Sequence, residues 1–259
     1  MSRVRVIIDK EWAEVLKNKM ILYTAGLMPA LFVVMPLAML YMTNKEKGSL
    51  RGMESITSLP AFAGMDPKSA AQILLVNQFM FYFLMIPLIV PIFIASYSII
   101  GEKQQRSLEP LLATPIRVWE LLLGKVLAAA IPAVAITWLA FAAYAVLARF
   151  VATDLVYGVI VSPMWLLALI VLAPLFTVLA VSLAVIVSSR VNDVRLAEQI
   201  GGLLVLPFVA VSIAATAGKI LLNFQMFALG ALAVALLDVV VVYLGAKLFQ
   251  RETILTKWK

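Results

Sequence analysis

Six long apolar runs constrain the fold of this chain more than any other feature of its sequence. They cover residues 20–43, 76–100, 126–148, 162–187, 200–217 and 221–246. Each run approaches or exceeds the roughly 20 residues that an α-helix needs to cross the hydrocarbon core of a bilayer. Strands of a membrane barrel are about ten residues long and alternate in polarity, and these runs do neither. We therefore predict an all-α polytopic membrane protein whose single transmembrane domain, residues 1–259, contains six transmembrane helices.

The composition agrees with this class and excludes several kinds of chemistry. Hydrophobic residues make up 64% of the chain and charged residues 14%, whereas soluble domains have about 45–50% and about 25%. Cysteine and histidine are absent from the sequence, which removes thiol chemistry and the commonest metal ligand and general base. We predict no metal site. The formal net charge of +7 fits basic loops that face anionic lipid, and no soluble domain remains to bind nucleic acid.

The distribution of Lys and Arg predicts the orientation of the spans. Six spans place both termini on one side of the membrane, and that side carries 15 of the 21 Lys and Arg residues. The positive-inside rule then places both termini in the cytoplasm, for a multi-pass protein of a cell (inner or plasma) membrane. Residues 44–75 would form the largest external loop. The sequence DPKSAAQILL in this loop is typical of a helix start, with Asp66 as N-cap and Pro67 in the first position.

The N-terminal segment, residues 1–19, has the pattern of an amphipathic helix. Apolar residues recur at helical spacing, while charged residues fall elsewhere. The apolar positions are Ile8, Trp12, Val15, Leu16 and Met20, and the charged ones are Lys10, Glu11, Glu14 and Lys17. We predict an interfacial elbow helix that lies on the inner membrane surface before the first span. The alternative is a polar leader with chance periodicity.

A polar stretch between the second and third apolar runs, GEKQQRSLEPLLATPIRVWELLLGKV, is too organised for a plain loop. Ser107 is a plausible N-cap, and Pro110 falls in the first turn, where a missing N–H is harmless. Three leucines then form one apolar face, and Pro115 ends the helix. We predict a short cytoplasmic helix within residues 101–118. Its apolar face needs lipid or a protein groove, and a solvated loop resting on the headgroups is the alternative.

This stretch resembles the cytoplasmic signature of type-2 ABC transporter permeases, in which an acidic residue and a short basic stretch precede LEPLLATP-like text and a helix carrying GK. The resemblance implies the membrane subunit of an ATP-driven exporter or flippase. It implies a second permease chain, as homodimer or heterodimer, and a separate ATPase that holds ATP and Mg²⁺. The helix between spans two and three would be the coupling helix, and the loop 188–199 a smaller contact. The implied ATPase-docking residues are Glu102, Arg106, Leu108, Glu109, Leu111, Leu112, Arg190, Asp193 and Arg195.

The sequence contains no motif for catalysis by the chain itself. GxxxxGK[ST], HExxH and GxSxG are all absent, and Lys125 in LLLGKVL lacks the glycine-rich lead of a nucleotide-binding loop. We therefore predict a protein that is not an enzyme and binds no cofactor. A secondary transporter or channel without an ATPase, and a membrane scaffold that moves nothing, stay open as alternatives.

A few polar residues in or near the spans are candidates for a substrate path. Asp238 is the only acid well inside an apolar run, where an unpaired charge costs about 2.5–3.5 kcal/mol on insertion scales. It could line a path or make a hydrogen bond between helices. Span ends carry four further candidates, Asn77, Gln78, Asn223 and Gln225, which could gate an exit or simply lie at the interface. The chemical identity of the substrate stays open.

Overall fold

The computed structural model describes residues 3–45, 62, 64–104, 118–217 and 223–248. All regular structure in these ranges is helical. We number the helices α1 Arg3–Lys17, α2 Lys19–Lys45, α3 Pro67–Gln104, α4 Val118–Ala148, α5 Asp154–Ile160, α6 Pro163–Leu167, α7 Ala173–Arg190, α8 Val194–Gly202, α9 Val205–Thr216 and α10 Phe224–Leu248. A π-helical segment, Ala168–Leu172, joins α6 to α7.

The described part of the chain contains six helical stretches that are long and apolar enough to cross a membrane. They are Ile21–Lys45, Pro67–Gln104, Trp119–Ala148, Asp154–Arg190, Val194–Thr216 and Phe224–Gly245, which we call spans one to six. The prediction of an all-α membrane protein with six spans is confirmed. Spans one, two, three and six are single helices, while spans four and five are assembled from shorter helices.

Span two, formed by α3, lies at the centre of the bundle. In its most apolar stretch of 18 residues, 78% of the residues are buried inside the protein. In the corresponding stretches of spans one, three, five and six, only 17–28% are buried. Met80, Phe83 and Leu84 have no exposed surface, and α3 packs against α2, α4, α7 and α8. Neighbours on all sides explain why this run is apolar around its whole circumference.

The start of α3 lies earlier than the apolar run suggests. The helix begins at Pro67 rather than at residue 76, because Asp66 caps it: one Asp66 carboxylate oxygen accepts a hydrogen bond from the Ser69 backbone N–H at 3.1 Å. The added turns are held to the end of α2. The Gln72 side-chain amide donates to Asn44 Oδ1 at 2.9 Å and to Thr43 Oγ1 at 3.0 Å. The predicted external loop 44–75 therefore loses its last residues to the helix.

Span four changes its winding at the π-helical segment. The Ala173 N–H bonds back to the Ala168 carbonyl, and Pro174 has no N–H to offer, so the Leu169 carbonyl has no helical donor. The Trp138 indole N–H of α4 donates to that carbonyl at 2.8 Å. Span five is interrupted as well, since a turn at Leu203 and Leu204 separates α8 from α9.

Candidate functional site

Three charged side chains are buried together where helices α1, α3 and α4 meet. Glu11 of α1, Glu102 of α3 and Lys125 of α4 are 2%, 4% and 6% exposed, respectively. Lys10 of α1 lies beside them and is half-buried. We call these four residues the charge cluster. Charges in an apolar interior require partners, because desolvation of each ion costs several kcal/mol.

Lys125 is the cation at the centre of the cluster. Its ammonium lies 2.7 Å from Glu11 Oε1 and 2.8 Å from Glu102 Oε2. It also donates a hydrogen bond to the Ser98 hydroxyl at 2.7 Å. One Lys side chain therefore joins α1, α3 and α4 through oxygen atoms on both neighbouring helices.

Lys10 closes the cluster from the exposed side. Its ammonium donates a hydrogen bond to Glu102 Oε1. It also lies 3.3 Å from Glu14 and 3.6 Å from Glu11. The Glu102 carboxylate thus lies between two lysines, one on α1 and one on α4, and each of its oxygens has a cationic neighbour.

The pKa shifts on α1 agree with this pairing. Burial alone would raise the pKa of Glu11, but the charge and hydrogen bond of Lys125, with help from Ser98 and Lys10, hold that pKa below its ordinary value. Burial would lower the pKa of Lys10, but its hydrogen bond and charge pairing with Glu102 raise it instead. Both groups are therefore charged at neutral pH.

Close packing brings α1 against α4. A Cβ on Gly124 would lie only 2.7 Å from Ile7 Cγ2, so the absence of a side chain at this glycine allows the contact. The Trp12 indole N–H donates to the Ala128 carbonyl at 3.0 Å, and Arg3 lies 3.6 Å from Glu120. Residue numbers rise together along both helices, so α1 runs parallel to the first three turns of α4.

The cluster flanks the polar segment that the sequence singled out. Glu102 lies in the last turn of α3, which ends at Gln104, and Lys125 lies in the second turn of α4, which begins at Val118. Residues 105–117 therefore connect the two helix ends that carry Glu102 and Lys125. The predicted docking residues Arg106, Leu108, Glu109, Leu111 and Leu112 lie outside the described residues.

A second junction connects the same end of α3 to the end of α7. The Lys103 ammonium donates to the carbonyls of Ser188, Ser189 and Val191 at 3.0–3.1 Å, and the Gln104 side-chain amide donates to the Asn192 carbonyl at 3.1 Å. A cation at a helix C-terminus satisfies carbonyls that have no helical donor and complements the helix dipole.

The predicted second docking loop, residues 188–199, is therefore in direct contact with α3. Arg190 is the last residue of α7. Asp193 caps α8, because its carboxylate accepts a hydrogen bond from the Leu196 N–H at 2.9 Å. Arg195 follows on the exposed face of α8. These three side chains lie beside the Lys103 junction.

Three of the other predicted polar residues, Asn77, Gln78 and Asn223, form side-chain hydrogen bonds. The Asn77 carbonyl oxygen accepts a hydrogen bond from the Trp165 indole N–H at 3.0 Å. Gln78 donates to the Ser212 hydroxyl at 2.9 Å and accepts a hydrogen bond from Thr216. Asn223 caps α10 by accepting a bond from the Met226 N–H at 2.7 Å, and Gln225 is exposed.

Asp238 of α10 is 6% exposed. Neither carboxylate oxygen has a hydrogen-bond partner within the part of the chain that the structure describes. A buried carboxyl group without a partner costs free energy, so this residue is exceptional in the bundle.

Sequence reasoning missed most of the charge cluster. It identified Glu102 but placed Lys10 and Glu11 on the polar side of the elbow helix. It considered Lys125 only in order to exclude a nucleotide-binding loop. A usable signal was present: Lys125 is the only charged residue between Glu120 and Arg149. A lone charge in an apolar run requires a partner from elsewhere in the chain.

These observations define a multi-pass α-helical membrane protein whose buried charges are concentrated where spans two and three adjoin a polar segment. A family model described as "ABC-2 family transporter protein" matches residues 5–244. The chain belongs to this family, whose members are membrane components of ABC transporters, so family membership implies a partner ATPase subunit. No curated protein matches the chain closely enough to serve as a relative.

Proposed function

We propose that the chain is the permease subunit of an ATP-driven ABC exporter, in which two permease chains pair and each binds one ATPase subunit that holds ATP and Mg²⁺. The observation that carries the proposal is the charge cluster, which fixes α1 to both ends of the predicted coupling segment, residues 101–118. This arrangement suits the transmission of force from a bound partner into the spans.

The first step is contact between the ATPase and the predicted coupling helix. Leu108, Leu111 and Leu112 would form the packed face, and Arg106 and Glu109 would add ion pairs with the partner. Nucleotide binding would change the position of this helix, provided that the ATPase binds the two conformations with different free energies.

The second step is displacement of the spans. Lys125 joins the last turn of α3 to the second turn of α4 through Glu102, and to α1 through Glu11. Separating the partners of a buried ion pair costs several kcal/mol. We therefore expect α1 and the adjoining ends of α3 and α4 to move together. Because α3 is the central helix, its movement changes contacts with α2, α7 and α8 as well.

The third step is a smaller contact through the α7–α8 turn. The Lys103 hydrogen bonds connect this turn to the same end of α3. We propose that Arg190, Asp193 and Arg195 contact the ATPase. The Lys103 hydrogen bonds would hold these three residues at a fixed position relative to the coupling segment.

The elbow helix would lie at the cytoplasmic membrane surface. Val6 and Leu16 are 55% and 66% exposed, so the sides of α1 that face away from the protein present apolar groups to lipid. Both termini would be cytoplasmic, as the Lys and Arg distribution predicts.

Mild-detergent purification of the tagged chain from its native membranes tests the proposal. We expect a stoichiometric partner that carries a GxxxxGK[ST] loop, identified by mass spectrometry. The double variant Leu111→Asp with Leu112→Asp should lose this partner while eluting as an intact, folded protein. A matched control places the same two charges in an exposed part of the chain far from the segment, as Phe150→Asp with Leu155→Asp, and should keep the partner.

A secondary transporter is the competing function, and the unpartnered Asp238 is the observation that favours it. In that case no ATPase co-purifies with intact protein, and Asp238→Asn abolishes transport by the chain alone. If Asp238→Asn leaves transport and assembly unchanged, the residue has no role in the path.

A further inference from the structure

A lateral cavity lies where span five packs against span two. Its volume is about 280 Å³. The lining includes Ile89, Ile92 and Phe93 of α3, Glu198 and Gly202 of α8, and Val205 of α9. Among the lining residues that the structure describes, Glu198 is the only charged one, and the others present carbon atoms.

The cavity lies about three helical turns away from the Gln104 end of α3. A Cβ on Gly201 would meet Ile92 Cγ2 at 2.7 Å, so α8 and α3 are in close contact at this glycine. Ile92 precedes Gln104 by about three turns, which corresponds to about 18 Å along the helix. Glu198 is one turn before Gly201 on α8 and five residues after the Asp193 N-cap of that helix.

Glu198 is half-buried and has no hydrogen bond or ion pair within 4 Å among the described residues, although the charge of Arg195, one turn earlier on α8, is close enough to act on it. The charged groups nearest to it are Arg195 and Asp193 on the same chain segment, which oppose each other in sign. Neither of them lines the cavity. A carboxylate at the edge of an apolar cavity attracts a cation, because its charge is poorly solvated there.

We propose that this cavity binds an amphipathic organic cation, whose apolar part occupies the space between α3 and α9 and whose positive charge pairs with Glu198. The inference rests on the proposed function and names the substrate class that such an exporter would take up. An uncharged or anionic amphiphile of the same size would lack the ion pair, and an anion would be repelled by the carboxylate.

Binding of a probe to the full chain tests this without any ATPase. The protein is placed in nanodiscs of zwitterionic lipid, and radiolabelled tetraphenylphosphonium is the probe, with tetraphenylborate as an anion of matched shape. We expect saturable tetraphenylphosphonium binding. Glu198→Gln should weaken it about tenfold, which is the factor that corresponds to one ion pair of moderate strength. Asp154→Asn is the matched control, since it removes the same charge from an exposed residue, and it should bind as the unmodified chain does.

A second variant tests the cavity instead of the charge. A side chain at Gly202 would meet nothing within 4 Å, so Gly202→Leu fills the cavity without a clash. It should also abolish saturable binding, while Gly230→Leu, at an equally open glycine of α10, should not.

Three outcomes would overturn the proposal. One is equal affinity of the unmodified chain and Glu198→Gln for tetraphenylphosphonium. Another is equal binding of tetraphenylborate. The third is an absence of saturable tetraphenylphosphonium binding to the unmodified chain; a change of oligomeric state in Gly202→Leu would then identify the cavity as a contact between two permease chains. Because no ATPase is present, these results are independent of whether the proposed ABC function holds.

Discussion

The two ends of α3 are both polar, but they are held by different chemistry. The end near Pro67 uses neutral groups, with Gln72 bonded to Thr43 and Asn44, and Gln78 bonded to Ser212 and Thr216. The end near Gln104 uses buried charges, with Glu102 between Lys10 and Lys125. Loss of a neutral hydrogen bond costs about 1 kcal/mol net, because water replaces the missing partner. Removal of one partner from a buried ion pair costs about 3–5 kcal/mol.

The comparison indicates that the two ends differ in stiffness. The charged end should keep its geometry when the spans move, and the neutral end should be able to open and rebind. This division suits a protein that receives force at one end of a central helix and changes its accessibility at the other.

Lys125→Ala should have the largest effect on stability. It leaves Glu11 and Glu102 buried without their central partner, and we expect a loss of about 3–5 kcal/mol, seen as a large drop of the thermal midpoint in detergent. Arg149→Ala is the control, because the Arg149–Asp154 pair is exposed and should contribute about 0–1 kcal/mol. Equal midpoints for the two variants would contradict the distinction between buried and exposed pairs.

Gly124→Ala should separate α1 from α4. The new methyl group would lie 2.7 Å from Ile7 Cγ2, and overpacking of this kind costs about 1–3 kcal/mol. Proteolysis of the N-terminal segment should become faster and the thermal midpoint should fall. Gly26→Ala, which meets nothing within 4 Å, is the matched control. The double variant with Ile7→Ala should recover part of the loss, and no recovery would mean that the clash is not the cause.

Gln78→Ala probes the neutral end of α3. It removes the bonds to Ser212 and Thr216, and we expect a loss of about 1 kcal/mol, smaller than that of Lys125→Ala. Hydrogen exchange measured by mass spectrometry should increase in α9 and stay unchanged in α1. An increase in α1 would show that the two ends of α3 are not independent.

Acidification should weaken the charged end only. The pKa of Glu11 is below its ordinary value of 4.5, so its pairing contributes stability above that value and loses it as pH falls through the lower, folded-state pKa. The raised pKa of Lys10 keeps its contribution complete through neutral pH. The contribution of the charge cluster to the thermal midpoint should therefore be flat near neutrality and fall on the acid side of 4.5. Glu11→Gln should have a lower midpoint at neutral pH and a shallower acid slope. A slope equal to that of the unmodified chain would exclude Glu11 as its cause.

The number of spans and their helical character could be predicted from the sequence, because apolar runs of 18 to 26 residues have few other stable structures. The Asp66 cap was equally accessible, since Asp followed by Pro is a local signal. The interruptions in spans four and five were not, because the π-helical turn depends on a donor from α4. The charge cluster depends on residues 10, 11, 102 and 125 meeting in space, and sequence spacing alone does not bring them together.

Span four also sets limits on how its length can vary. The π-helical segment contains one residue more than an α-helical turn would need, and its wider winding absorbs that residue, so the faces before and after it keep the relative orientation of a regular α-helix that is one residue shorter. Trp165 on one side packs against Phe81 and Phe227 at 5.3 and 5.1 Å between ring centres, while Ala180 and Ala184 on the other side are fully buried. Deleting a single residue from Ala168–Leu172 would restore regular winding with both faces still directed into the bundle, whereas deleting one from the α-helical part of span four would turn one face by about 100°. Related sequences that lack the extra residue should therefore keep the residue types of both faces and lose only the π-helical turn.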